Sequence, residues 1–109
     1  MYKVLIFGAG SIGNHLAFGC RCKGWEVTIV DIDREALRRT REEIYPARYG
    51  SWDETILLKS PEDVGNIQYD LVIVGTPPDT HIAIATKVLN GLPPRVMLLE
   101  KPVCSPDLI

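Results

Sequence analysis

The chain has 109 residues, enough for one domain with a buried core but short for an enzyme that needs a separate domain for a second ligand. Twelve basic and fourteen acidic side chains leave a net charge of −2, which excludes a broad electrostatic attraction to nucleic acid or to an anionic membrane surface. Three cysteines are an odd number, and Cys20 and Cys22 lie two apart on a predicted helix, facing different sides, so they share neither a metal nor a bridge. Reduced thiols, no charged leader with an apolar segment of signal-peptide length and no stretch of membrane-spanning length together lead us to expect a soluble cytoplasmic protein.

Taken in chain order, Tyr2 to Phe7 carries a continuous apolar run in place of an alternating one, the pattern of a central strand buried on both faces. The period turns helical over Ser11 to Lys23, with Ile12, Leu16, Gly19 and Cys20 as the expected sheet-facing side and Gly24 as the stop. Glu26 to Asp31 is the second strand. Asp33 is placed to cap a helix from Arg34 to Ile44, with Pro46 as its stop signal. The arginines between 34 and 41 alternate with Glu35 and precede Glu42 and Glu43, which describes a solvated helix face.

The third strand is either Tyr49 to Ser51 or Thr55 to Leu58. The apolar Ile56-Leu57-Leu58 favours the second, and Ser60-Pro61-Glu62-Asp63 resembles a new helix start. Asp70 to Val74 is a fourth, buried strand, ended by Gly75-Thr76-Pro77-Pro78 because neither proline can donate to a ladder. A helix follows from about Asp79 to Asn90, and Arg95 to Leu99 is a fifth strand ending at Glu100-Lys101-Pro102. Strands alternating with helices predict an α/β fold: a doubly wound parallel sheet in three layers, α/β/α, as a single domain over residues 1–109.

Gly8, Gly10 and Gly13 stand between the first strand and the first helix with the spacing G-x-G-x-x-G. The first glycine lets the chain turn out of the strand, the second removes a Cβ that would obstruct a phosphate, and the third lets the helix pack close to the sheet. The amides of the helix's first turn, including those of Ser11 and Ile12, then face an anion. Three glycines alone are weak evidence, but Asp31 ends the second strand eighteen residues after Gly13 and can accept from ribose hydroxyls, with Ile32 and Arg34 beside it. The context is that of a dinucleotide site. Every other unusual segment also follows a strand, so all of them collect at one sheet edge.

With Gly8-Ala9-Gly10-Ser11-Ile12-Gly13, Gly75-Thr76-Pro77-Pro78-Asp79-Thr80-His81 and Glu100-Lys101-Pro102 in this order, residues 2–103 resemble the N-terminal Rossmann domain of the glucose-fructose oxidoreductase, inositol dehydrogenase and rhizopine-catabolism family (Gfo/Idh/MocA). The resemblance implies an NAD- or NADP-dependent oxidoreductase acting on hydroxyl and carbonyl groups of sugars, cyclitols and related small molecules. It places Thr76, Pro77 and Pro78 against the ribose and nicotinamide, and makes Lys101 the lysine that assists proton transfer near the reacting carbon. Taken by itself, Lys101 also fits an ordinary exposed lysine at a strand end. Glu100 can bond near the nicotinamide ribose or form a local ion pair. His81, in a helix's first turn, carries the weakest assignment.

Asp31 repels a ribose 2′-phosphate and so favours NAD, while Arg34 can offset that charge and admit NADP. The family's substrate pocket lies in a following domain, so the expected role is that of a cofactor half, with a small-molecule substrate only when that second domain is present and a homo-oligomer left open. Two other classes stay open: a dinucleotide-sensing regulatory domain, as in potassium-channel systems, and a methyltransferase, which S-adenosylmethionine binding would identify.

Overall fold

The computed structural model describes residues 2–64, 68–75 and 94–99. Within them lie five strands, β1 (Lys3–Phe7), β2 (Glu26–Val30), β3 (Leu57–Lys59), β4 (Leu71–Val74) and β5 (Val96–Leu99), all parallel, in the order β3-β2-β1-β4-β5. Helix α1 (Ser11–Cys22) connects β1 to β2; α2 (Arg34–Arg39), a π-helical turn (Thr40–Ile44) and α3 (Tyr45–Tyr49) lead from β2 toward β3.

The apolar runs mark burial on both faces. Val4, Ile6, Val27, Ile29 and Ile73 pack on one side with Ala17 and Cys20 of α1, while Leu5, Val30, Val72, Val74 and Tyr69 form a second cluster. The register explains the match: Val4 lies opposite Val27 and Leu71, and Ile6 opposite Ile29 and Ile73, so side chains of one parity meet across three strands.

Helix α1 is turned away from the expected face. Ile12 is 51% exposed and Gly19 is exposed, whereas Gly13, Asn14, Ala17 and Cys20 are buried and Leu16 flanks the core. The cause is the close approach of Gly13 to the β1 turn, which fixes the helix's rotation so that the inward stripe runs through residues 13, 17 and 20. As expected, Cys20 and Cys22 fall on different sides, one buried and one exposed.

Pro46 does not stop the second helix. The Tyr45 amide donates to the Thr40 carbonyl five residues back, a wide turn, and Pro46 then stands in the first turn of α3, where a missing N–H breaks no bond. The path ends at Gly50, whose φ of 91° suits only glycine readily. Aromatic packing holds this extension down: Tyr49 stacks on Phe18 with ring centroids 3.9 Å apart, and buried Tyr45 meets Phe18 and Trp52 edge-on.

The third strand is the second of the two candidates, shifted to Leu57–Lys59, with Ile56 buried ahead of it. The expected helix at Ser60 to Asp63 is one 3₁₀ turn, Pro61–Asp63. The expected helix from Asp79 to Asn90 lies outside the described residues. Among the described residues, no helix is long and apolar enough to cross a membrane.

Candidate functional site

Hydrogen bonds between strand ends assemble one edge. The Gly8 amide donates to the Val30 carbonyl at 2.7 Å, the Asp31 amide to Lys59 at 3.3 Å and the Gly75 amide to Phe7 at 2.8 Å. The carboxyl ends of β3, β2, β1 and β4 therefore stand side by side. The chain runs outward from β1 to β3 and returns next to β1 as β4, so the order reverses at β1, where such sheets open a ligand crevice.

The three glycines answer to three different demands. Gly8 has a φ of 111°, which turns the chain out of β1. A Cβ on residue 13 would overlap the Gly8 carbonyl oxygen, so that position is dictated by packing. Gly10 differs: its φ is an ordinary −89°, it is exposed, and a Cβ there would meet nothing within 4 Å. Nothing described in the chain demands glycine at residue 10, and the space above it is what a close-approaching phosphate needs. Gly10 also begins α1, which carries no side-chain cap and no acid in its first turn, leaving the helix's amide dipoles to an outside anion.

Asp31 closes the site on the β2 side. Its Oδ2 accepts from the Ala9 amide at 3.0 Å and its Oδ1 from the Asp33 amide at 2.9 Å. A carboxylate oxygen accepts more than one hydrogen bond, so the half-buried group is oriented by the protein without being saturated. Asp33 caps α2 as expected, accepting from the Glu35 amide at 2.9 Å. Next to these acids Ile32 is 86% exposed, and Arg34, first in α2, is exposed with no ion pair among the described residues. The other arginines of the run belong to the surface: Arg38 pairs with Glu35, Glu42 and Glu43 at 2.6 to 2.8 Å.

Two residues of the site carry no expectation from sequence. Asn14 and Thr40 are fully buried, and Asn14 Nδ2 donates to the Gly10 carbonyl at 2.8 Å and to Thr40 Oγ1 at 3.0 Å. The Thr40 hydroxyl donates to the Ala9 carbonyl at 2.8 Å. The sequence signal available for Asn14 is a polar amide directly after the third glycine, on the side of α1 that packs inward once Gly13 sets the rotation; Thr40 has none.

Of the expected site residues, the structure brings together Gly8, Gly10, Gly13 and Asp31, with Ile12 and the backbone of Ser11 in the first turn of α1 and with Ile32 and Arg34 following Asp31 in the chain. Thr76, Pro77, Pro78, His81, Glu100 and Lys101 lie outside the described residues. Gly75, the residue before Thr76 in the chain, is at the same edge, and β4 pairs with β5 up to Val74 and Leu99.

Solved structures share this fold. The chain superposes on malate dehydrogenase from Plasmodium falciparum in complex with NADH with a TM-score of 0.68 at 16% identity, covering 94% of this chain and 36% of that one. For a diketoreductase the values are 0.66, 24%, 91% and 40%, and for (S)-3-hydroxybutyryl-CoA dehydrogenase from Ralstonia eutropha 0.63, 20%, 94% and 39%. The likeness is one of fold, and the chain spans about two fifths of each of these proteins or less. No curated protein matches the sequence. The resemblance to the Gfo/Idh/MocA family is not supported by a match: the glycine turn, the parallel strands and the acid after β2 are general to Rossmann sheets, and the more specific segments lie outside the described residues. The family that matches does so from residue 4 to residue 101, nearly the full chain, and the protein belongs to the TrkA-N domain family.

Proposed function

We propose that the chain binds NAD across the amino end of α1, as the nucleotide-binding half of an oxidoreductase. The observation that carries this reading is Gly10, an exposed glycine with open space above it at an uncapped helix start, 3.0 Å-bonded through its neighbour Ala9 to the acid that ends β2. The diphosphate lies over the amides of Gly10, Ser11, Ile12 and Gly13. Asp31 accepts from the adenosine ribose, Ile32 offers an apolar side to the adenine, and Arg34 sets how far a 2′-phosphate is tolerated. NAD, when bound, supplies the hydride acceptor. The resemblance assigns Thr76, Pro77, Pro78, His81 and Glu100 to the nicotinamide half, and Lys101 to taking the proton from an alcohol, or returning it to a carbonyl oxygen, on a sugar-like substrate. That last step rests on the resemblance of the T-P-P-x-x-H and E-K-P segments alone.

Parallel titrations with NAD, NADP and S-adenosylmethionine test the reading. NAD is expected to bind most tightly; failure of all three at millimolar concentration rejects it. A second reading, a dinucleotide-sensing regulatory domain, is favoured by the matched family, since TrkA-N domains also occur in regulatory potassium-channel proteins. It is separated by size-exclusion chromatography of the wild-type chain with and without NAD: a sensor forms a defined assembly of copies that responds to NAD, whereas a cofactor half binds NAD with its assembly unchanged.

A further inference from the structure

The geometry points to Asn14 and Thr40 as positioning residues for the diphosphate, a pair that turns the carbonyls of the glycine turn away from the anion. This inference rests on the dinucleotide reading above. A turn that binds an anion presents N–H groups, but each of its peptides also carries a carbonyl oxygen whose negative end repels the ligand. Here those oxygens face inward. The Ala9 carbonyl accepts from Thr40 Oγ1 at 2.8 Å and from Asn14 Nδ2 at 3.3 Å, and the Gly10 carbonyl accepts from Asn14 Nδ2 at 2.8 Å and the Asn14 amide at 3.0 Å.

Both side chains are fully buried, so water does not compete for these bonds. The Asn14 amide is oriented with its nitrogen toward two carbonyls, and its buried Oδ1 has no hydrogen-bond partner among the described residues. Thr40 reaches the turn from 31 residues away and opens the π turn; no residue of α2 before it is buried. The wide turn therefore begins where the helix touches the nucleotide loop, which is where such distortions tend to serve a site.

The test compares Thr40→Val, which keeps the shape and loses the donor, with Thr40→Ser, which keeps the donor. At a temperature where circular dichroism shows all three proteins folded, Thr40→Val is expected to raise the Kd for NAD about tenfold, with Thr40→Ser within about twofold of wild type. A merely structural role would lower the melting temperature of Thr40→Val and leave the Kd of its folded form unchanged; that outcome overturns the inference. Should Thr40→Val fail to fold, the wild-type protein decides by nuclear magnetic resonance. Saturation with NAD shifts the Asn14 side-chain NH₂ signals if the pair backs the binding turn, and signals that stay fixed while the amides of residues 11–13 move overturn it. A wild-type protein that binds neither NAD nor NADP removes the cofactor reading and this inference with it, whereas one that binds NAD equally well with or without the Thr40 hydroxyl removes only this inference.

Discussion

Asp31 is bonded to Ala9: its carboxylate Oδ2 accepts from the Ala9 amide at 3.0 Å, so the acid ending β2 and the turn ending β1 form one unit. Replacing the acid therefore acts twice. Asp31→Ala removes an acceptor for the ribose hydroxyls and releases the turn under the diphosphate, and its Kd for NAD is expected to rise by about tenfold or more. Asp31→Asn keeps an oxygen toward Ala9 and removes the charge that repels a 2′-phosphate. Its affinity for NADP relative to NAD is expected to increase, with Arg34 free to meet the added phosphate. Kd values for both nucleotides across the three proteins check the two expectations separately.

Gly13 and Gly10 differ in what requires them, so alanine at the two positions should give opposite results. At residue 13 the new Cβ would overlap the Gly8 carbonyl oxygen and stand 3.5 Å from Ile6 Cγ2. The obstacle is backbone and cannot rotate away, and Gly13→Ala is expected to cost about 2 to 4 kcal/mol of folding stability in a urea titration. At residue 10 the Cβ meets nothing in the described chain, and the residue has negative φ. Gly10→Ala is expected to stay within about 0.5 kcal/mol of wild type in stability while losing most of its NAD affinity. A Gly10→Ala protein that binds NAD normally would reject the placement of the diphosphate.

The strands were legible because their signal is local. Val4 to Phe7 and Leu71 to Val74 are unbroken apolar runs, and a run of that length between turn residues has few other ways to fold. The glycine spacing and Asp31 were legible for the same reason, each being set by the end of a strand. What failed depended on a distant partner. Ile12 reads as inward by hydrophobicity, yet Gly13, legible as the point of close helix packing, also sets the rotation of α1 through its contact with Gly8 and turns Ile12 outward. Pro46 reads as a stop, yet the wide turn before it places it in the first turn of α3, and Tyr45 and Tyr49, on either side of it, pack on Phe18 and Trp52. Thr40 reads as a polar residue on a charged helix, and only its bond to Ala9, 31 positions earlier, makes it part of the site.

Helix α2 has six residues, none of them buried, and so depends on its start more than on packing. Asp33 supplies that start through its bond to the Glu35 amide. Asp33→Ala is expected to cost about 1 kcal/mol, and Asp33→Asn, which keeps the acceptor, much less. Because α2 leads directly into Thr40, the alanine variant should also increase hydrogen exchange at residues 34–40 ahead of the rest of the chain, which an exchange experiment resolves residue by residue.

Asp53 provides a pH-dependent link between α1 and the segment before β3. Arg21, in the last turn of α1, donates from Nε to Asp53 Oδ2 at 3.0 Å and from Nη1 to the Trp25 carbonyl at 2.6 Å. Burial acts to raise the Asp53 pKa, but hydrogen bonds from the Thr55 hydroxyl and amide and from Arg21 outweigh it and hold the carboxyl below its ordinary value of 3.8. A folded value below the unfolded one means that the unfolded chain binds more protons in the interval between them. The stabilisation is then complete above the ordinary value and is lost as the pH falls through the lowered one. Both side chains are about three quarters buried, which keeps the pair from being fully screened, and its contribution is about 1 kcal/mol. In urea titrations wild type should exceed Asp53→Asn by about that amount at pH 7 and at pH 5, with the difference narrowing at pH 3 and below. A gap that instead stayed constant down to the lowest pH would mean that the bonds act through geometry alone, with the charge of Asp53 contributing nothing.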